Sequence, residues 1–145
     1  MAVASASIHI IDNNAITVYD FDPGNTDPND VAWVDMRDFA WFLVIFIRTI
    51  GTSNLDTFEI IANPQSDGSG TDVNIKVHAV ASEPNLIPDY IFLECSALEV
   101  QAAGADLRYV TASVEFATNS DEAIVVYVRE AGRFHRRALT TDSIQ

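Results

Sequence analysis

The sequence predicts an all-β protein: an antiparallel β-sandwich of about eight strands, jelly-roll or Ig-like, with one short helix. Three observations lead there. Segments rich in β-branched and aromatic residues recur along the chain, separated by turn signals at the spacing of a sandwich or barrel. Several of them alternate apolar and polar residues, the pattern of a strand with one wet face. Only one stretch carries helix-terminus signals, and nothing resembles a βαβ unit.

Taken in order, SIHII (7–11) and AITVY (15–19) read as short strands joined by an Asp-Asn-Asn turn, so a hairpin is expected there. DFDPGNTDPND (20–30) is a polar loop holding Pro23, Gly24 and Pro28, and VAWVDM (31–36) is a short strand. Next comes DFAWFLVIFIRTIG (38–51), with nine consecutive apolar residues from Phe39 to Ile47. Nine residues cannot cross a bilayer as a helix, which takes ~20. A half-buried strand would alternate, whereas this run is apolar on both faces. One face can enter the chain's own core; the other must meet a second layer, a terminal arm or another subunit.

LDTFEIIAN (55–63) is a strand that puts Phe58, Ile60 and Ala62 on one face, and NPQSDGSGT (63–71) is a turn. DVNIKVHAV (72–80) shows the cleanest alternation, with Val73, Ile75, Val77 and Ala79 opposite Asp72, Asn74, Lys76 and His78. After a loop with two prolines (82–89), YIFLEC (90–95) is again a strand. SALEVQAAG (96–104) is the helix: Ser96 and Glu99 form a capping-box pattern and Gly104 is placed to end it. RYVTASVEFAT (108–118) and AIVVYVRE (123–130) flank a short NSDE turn, which favours pairing the two as an antiparallel hairpin. The expected organisation is N-terminal strands and an acidic loop over 1–30, able to serve as an arm, a sandwich body over 31–130, and a basic-to-polar tail over 131–145.

The 145 residues suffice for one domain with a core, and 48% apolar content is that of a globular chain. A formal net charge of −13 argues against a nucleic-acid partner, which needs a basic face, and against docking on an anionic membrane. The charge is uneven. Residues 1–107 carry sixteen acids and three bases, whereas residues 108–145 carry five of each, and REAGRFHRR (129–137) holds four arginines. Arginine suits directional pairing with carboxylates. MAVASASIHI has neither the basic region nor the long apolar stretch of a secretory signal, and Cys95 is the single cysteine, so synthesis in a cytosol is expected.

Chemistry is sparse in the sequence. His9, His78 and His135 have no metal-ligand spacing. Cys95 precedes the helix and is a conceivable nucleophile, but no histidine lies near it in sequence, and a small buried apolar role is the alternative. The 20–30 loop is rich in carboxylates yet fails the calcium-loop pattern: Gly24 stands where a third ligand would be and Val31 where a bidentate glutamate belongs. The SDGSG turn (66–70) is followed by neither lysine nor helix, so it is no phosphate loop. Trp33, Trp41 and Tyr90 are candidates for a sugar platform, with core or subunit interface as the competing role for Trp41.

The stretches FEIIANPQSDGSGTDVNIKVHAV (58–80) and YIFLECSALEVQAAGADLRYVTASVEFATNSDEAIVVYVR (90–129) share an order with one class of protein. That order is strand, Gly-Ser turn, alternating strand, capped helix and hairpin. From about Trp41 to Arg137 the chain resembles the small β-sandwich virion proteins of tailed bacteriophages that decorate or cement a capsid. The resemblance implies a non-enzymatic structural protein at the capsid surface, assembled in the host cytoplasm. Its implied partners are the major capsid protein and further copies of itself, as dimer or trimer. It implies no cofactor and no catalytic residue, and the first forty residues lie outside it. A neck or tail structural protein and a carbohydrate-binding sandwich are the alternatives. The expected contact residues are Phe39, Trp41, Phe42, Ile45 and Phe46 from the apolar run, and Arg129, Arg133, Phe134, Arg136 and Arg137 from the basic stretch.

Overall fold

The computed structural model describes residues 14–21, 32–51, 53–78, 90–117 and 121–131. Among these are eight strands and one helix: β1 (Asn14–Phe21), β2 (Val34–Asp35), β3 (Phe39–Ile50), β4 (Leu55–Asn63), β5 (Val73–Val77), β6 (Tyr90–Ser96), α1 (Ala97–Ala103), β7 (Tyr109–Phe116) and β8 (Glu122–Ala131). They form two four-stranded sheets, ordered β1-β8-β3-β6 and β2-β7-β4-β5. Every pairing is antiparallel.

The pairings carry the topology. β1 with β8, β2 with β7, β3 with β6 and β4 with β5 are four rungs of one long ribbon, folded back at the β4–β5 turn. Wrapping that ribbon upon itself adds the β3–β8 and β4–β7 pairs. This is a jelly roll, and it decides between the two sandwich types the sequence left open.

Between the sheets lies the core. Phe42, Val44 and Phe46 of β3 and Val125 and Tyr127 of β8 face Phe58, Ile60 and Ala62 of β4 and Val110 and Ala112 of β7, all fully buried. The Phe46 ring sits 5.7 Å from both Phe58 and Phe116, tilted as aromatic pairs prefer. Tyr127 spans the gap. Its ring lies edge-on to Phe42 and Tyr19 at 4.9 Å, and its hydroxyl accepts the Ala112 N–H at 2.6 Å and meets the Thr111 hydroxyl at 3.0 Å. A backbone donor on β7, inside the core, is thereby satisfied by a side chain from the opposite sheet.

The helix is as the sequence predicted. The Ser96 side chain accepts the Glu99 N–H at 3.2 Å, and Glu99 Oε2 takes the Ser96 N–H at 2.8 Å. Gly104 ends it in extended backbone rather than in the left-handed conformation common at helix C-termini. Glu99 also holds Lys76 Nζ of β5 at 2.5 Å, which ties the helix to the second sheet.

Three expectations are corrected. First, β7 and β8 are not a hairpin: β7 pairs with β2 and β4 in one sheet, β8 with β1 and β3 in the other. A buried acid organises the region between them. Asp121, 2% exposed, accepts Arg48 Nη1 at 3.0 Å, the Ser53 N–H at 2.8 Å and the Ser53 hydroxyl at 2.6 Å, so the strand after this corner is anchored to the end of β3. Gly51 stands against the same carboxylate with φ +94°; a Cβ there would lie 1.9 Å from Asp121 Oδ1. Second, the alternation of 72–80 does not persist. The β4–β5 register shifts between Ile60 and Ile61, so Val73 and Ile75 pack on the core while Val77 turns outward and is 62% exposed. One extra residue in a strand moves every later side chain to the other face. Third, β1 is no detached arm: it pairs with β8 over eight residues and belongs to the body. The expected strand at 7–11, most of the 20–30 loop, the 82–89 loop and the tail beyond 131 lie outside the described residues.

Candidate functional site

The two sheets differ on their outer faces. The second sheet presents Thr57, Glu59 and Glu115, with Val77 exposed on its edge strand β5. The first sheet presents apolar side chains across all four strands, because in β1, β3, β6 and β8 both residue sets of the period-2 repeat are apolar. Register places them in rows. Val18 of β1, Val126 of β8, Ile45 of β3 and Phe92 of β6 stand side by side. On one side of that row lie Ile16, Val128 and Leu43, ending at Glu94; on the other lie Ile124, Ile47 and Tyr90. The edge strands are the most open: Ile16 is 62%, Val18 60%, Tyr90 62% and Phe92 61% exposed, whereas Leu43, Ile45, Val126 and Val128 in the middle are half-buried by their neighbours.

Trp41, 46% exposed, pairs in register with Glu130 and Ser96 at one end of the face. There a shallow depression of about 450 Å³ has Trp41, Leu43 and Val128 along it and the carboxylates of Glu94 and Glu130 on either side of β3. No arginine or lysine points out of this face among the described residues: Arg48 and Arg129, on β3 and β8, alternate to the inner side.

The contact residues expected from the sequence divide accordingly. Trp41 and Ile45 do belong to the open face. Phe42 and Phe46 do not: both are fully buried between the sheets, because they share the inward set with Val44. Phe39 is half-buried under the Arg129 guanidinium, 4.5 Å from its ring centroid. Arg129 is likewise turned inward, donating to the Asp35 carbonyl at 3.3 Å, and its burial pulls its pKa down. Arg133, Phe134, Arg136 and Arg137 lie outside the described residues. The sequence reading missed Ile16, Val18, Phe92, Ile124, Val126 and Val128, and singled out Tyr90 only for a sugar platform. A signal for three of them was present: Ala123–Val128 is apolar at six consecutive positions, as Phe39–Ile47 is at nine.

A second polar cluster lies where β2 meets β7. Arg108 Nε donates to Asp35 Oδ1 at 2.7 Å and its Nη2 donates to the other carboxylate oxygen; the Arg37 N–H adds a bond at 2.9 Å. The Arg108 hydrogen bond, more than any other influence, holds the Asp35 carboxyl below the usual carboxylate range. This pair braces the short β2 rather than presenting a free charge.

Cys95 has no exposed surface, and burial pushes its thiol up to about 12, so at neutral pH it carries no thiolate to act as nucleophile. It is the small apolar core residue of the two readings. Among the described residues no group of three or more His, Cys, Asp or Glu is placed to hold a metal ion, and no helix is long and apolar enough to cross a membrane. Trp33, Trp41 and Tyr90 do not come together: Trp33 packs against Gly68 near the β4–β5 turn, and Tyr90 opposes Ile47 at the far end of the face from Trp41.

No protein-family model matches the chain, and no curated protein matches it.

Proposed function

We propose that the chain is a non-enzymatic structural protein of a virion, one that binds the capsid shell lattice and reinforces it as a cement or decoration protein. One observation carries this reading: a jelly-roll body with a filled core keeps the centre of one sheet face apolar and open, with carboxylates only at its ends. Monomers seldom expose contiguous apolar patches above roughly 300–600 Å² unless something covers them. A face of this kind is made to be covered by protein, which is how a cement protein works. The rigid sandwich and the inert Cys95 thiol are compatible with that role, and the resemblance over Trp41–Arg137 supplies the virion context.

The test is direct. Purified chain is mixed with shells of its own virus that lack it, and binding is followed by co-sedimentation and by the temperature at which the shells rupture. Saturable binding in register with the lattice and a higher rupture temperature are expected. Failure to co-sediment at micromolar concentration removes the reading.

A carbohydrate-binding role has one observation in its favour: Trp41 lies exposed between Glu94 and Glu130, an aromatic floor flanked by hydroxyl acceptors. Glycan binding that Trp41→Ala abolishes would select it over the first.

A further inference from the structure

We infer that the open face of the β1-β8-β3-β6 sheet is covered by the same face of a second copy of this chain, making a face-to-face dimer. The inference rests on the structural reading above and names the partner at that surface.

Area is the first argument. Two exposed aromatics, a half-exposed tryptophan and the aliphatics of four strands present on the order of 800 Å², which is what each partner contributes to a standard stable interface. The second argument is shape and composition. The face is a twisted sheet of β-branched and aromatic side chains, the same material as the chain's own intersheet core. Two such faces stack at ~10 Å by the geometry that already joins the two sheets of the protein.

Charge is the third. The acids on the face stand at the ends of its strands, Glu94 and Glu130 beside Trp41 and Glu122 beyond Ile124, and leave the centre uncharged. Two copies can therefore meet through the apolar centre of the face with the carboxylates at its periphery. An anionic membrane fits this surface poorly, since it would meet the carboxylates of a chain with net charge −13.

The experiment uses the full chain. Light scattering coupled to gel filtration, over a micromolar concentration series, should give twice the 15.9 kDa chain mass. Phe92→Glu and Val18→Glu are tested in parallel. Both residues are largely exposed in the single chain and sit on opposite edge strands, so far-ultraviolet circular dichroism should be unchanged while the mass falls to that of the monomer. A charge buried at such a contact should raise the dimer Kd by roughly a hundredfold or more. A wild-type chain that is monomeric throughout the series overturns the inference, as do folded variants that keep the wild-type mass. A chain ended after Ala131 should dimerise as the full chain does. If only the shortened chain dimerises, the basic tail is the occupant and the inference falls. Shell binding, measured on the same samples, separates the two readings. A wild-type dimer that ignores shells upholds this inference and removes the cement reading. A wild-type monomer whose shell binding is lost in Phe92→Glu does the reverse, and assigns the face to the shell protein.

Discussion

Replacing Asp121 by asparagine removes one charge from the corner between β7 and β8 and changes little else. The carboxylate is 2% exposed and the side chain of its partner, Arg48, is 12% exposed. Asparagine keeps the volume and one acceptor oxygen for Ser53, but it leaves a guanidinium facing no anion. Removing one member of a buried ion pair costs ~3–5 kcal/mol. Two features put the expected loss at the lower end: the retained acceptor, and the Phe116 ring, whose centroid lies 5.3 Å from the Arg48 guanidinium carbon. A loss of about 3 kcal/mol in a chain of this size lowers Tm by roughly 6–12 °C. The assay is urea unfolding at one fixed protomer concentration, comparing midpoints at unchanged m. Arg48→Met should also destabilise, yet Arg48→Met with Asp121→Leu should recover most of the loss, because a well-packed apolar pair often replaces a buried ion pair at little cost. A wild-type midpoint for Asp121→Asn would refute the reasoning. So would a double variant whose loss equals the sum of the single ones, since that would mean the two groups are not coupled.

The remaining predictions concern other points of the body. Tyr127→Phe keeps the ring contacts but leaves the buried Ala112 N–H without its acceptor, and should cost about 1–3 kcal/mol in the same assay; a neutral result would mean that the hydroxyl bridges nothing. Glu99 should make stability depend on pH in acid. The Lys76 hydrogen bond first, and then those from Ser96, hold its carboxyl at about 2 in the folded chain against an ordinary 4.5. Its contribution is therefore complete above 4.5 and disappears as pH falls towards about 2, so the stability gap between wild type and Glu99→Gln should close over that range. An equal gap at every pH would remove the assignment. Cys95, with its thiol pushed up to about 12 by burial, should resist a thiol reagent in the folded chain at mildly alkaline pH and react fully in denaturant; rapid labelling of the native chain would contradict its burial.

Local pattern was enough for the elements. The inward sets Val110, Ala112, Val114 and Phe116 of β7 and Phe58, Ile60 and Ala62 of β4, and the Ser96–Glu99 capping box, are written within a few residues of chain and appear in the structure where the sequence puts them, although Thr111 and Ser113 of the opposite set of β7 are buried too. The apolar run 39–47 also announced by itself that one strand would have two apolar faces. Which face would be inner could not be read there, because Trp41 and Phe42 are equally apolar; the inward set was fixed only when β3 paired with β6 and β8 and turned Phe42, Val44 and Phe46 towards the opposite sheet. Partner choice was non-local throughout. The short turn before β8 suggested a hairpin, but Asp121 reaches back 73 residues to Arg48, and the chain turns into the other sheet. The bulge in β5 arises from register against β4, so no reading of 72–80 alone would turn Val77 outward. The open face is of the same kind. Its four strands are separated in sequence by the whole second sheet, and their apolar outer sets become one surface only when the ribbon wraps. Side-chain period is a property of the strand; adjacency is a property of the fold, because hydrogen-bonded pairing joins residues that the chain itself keeps far apart.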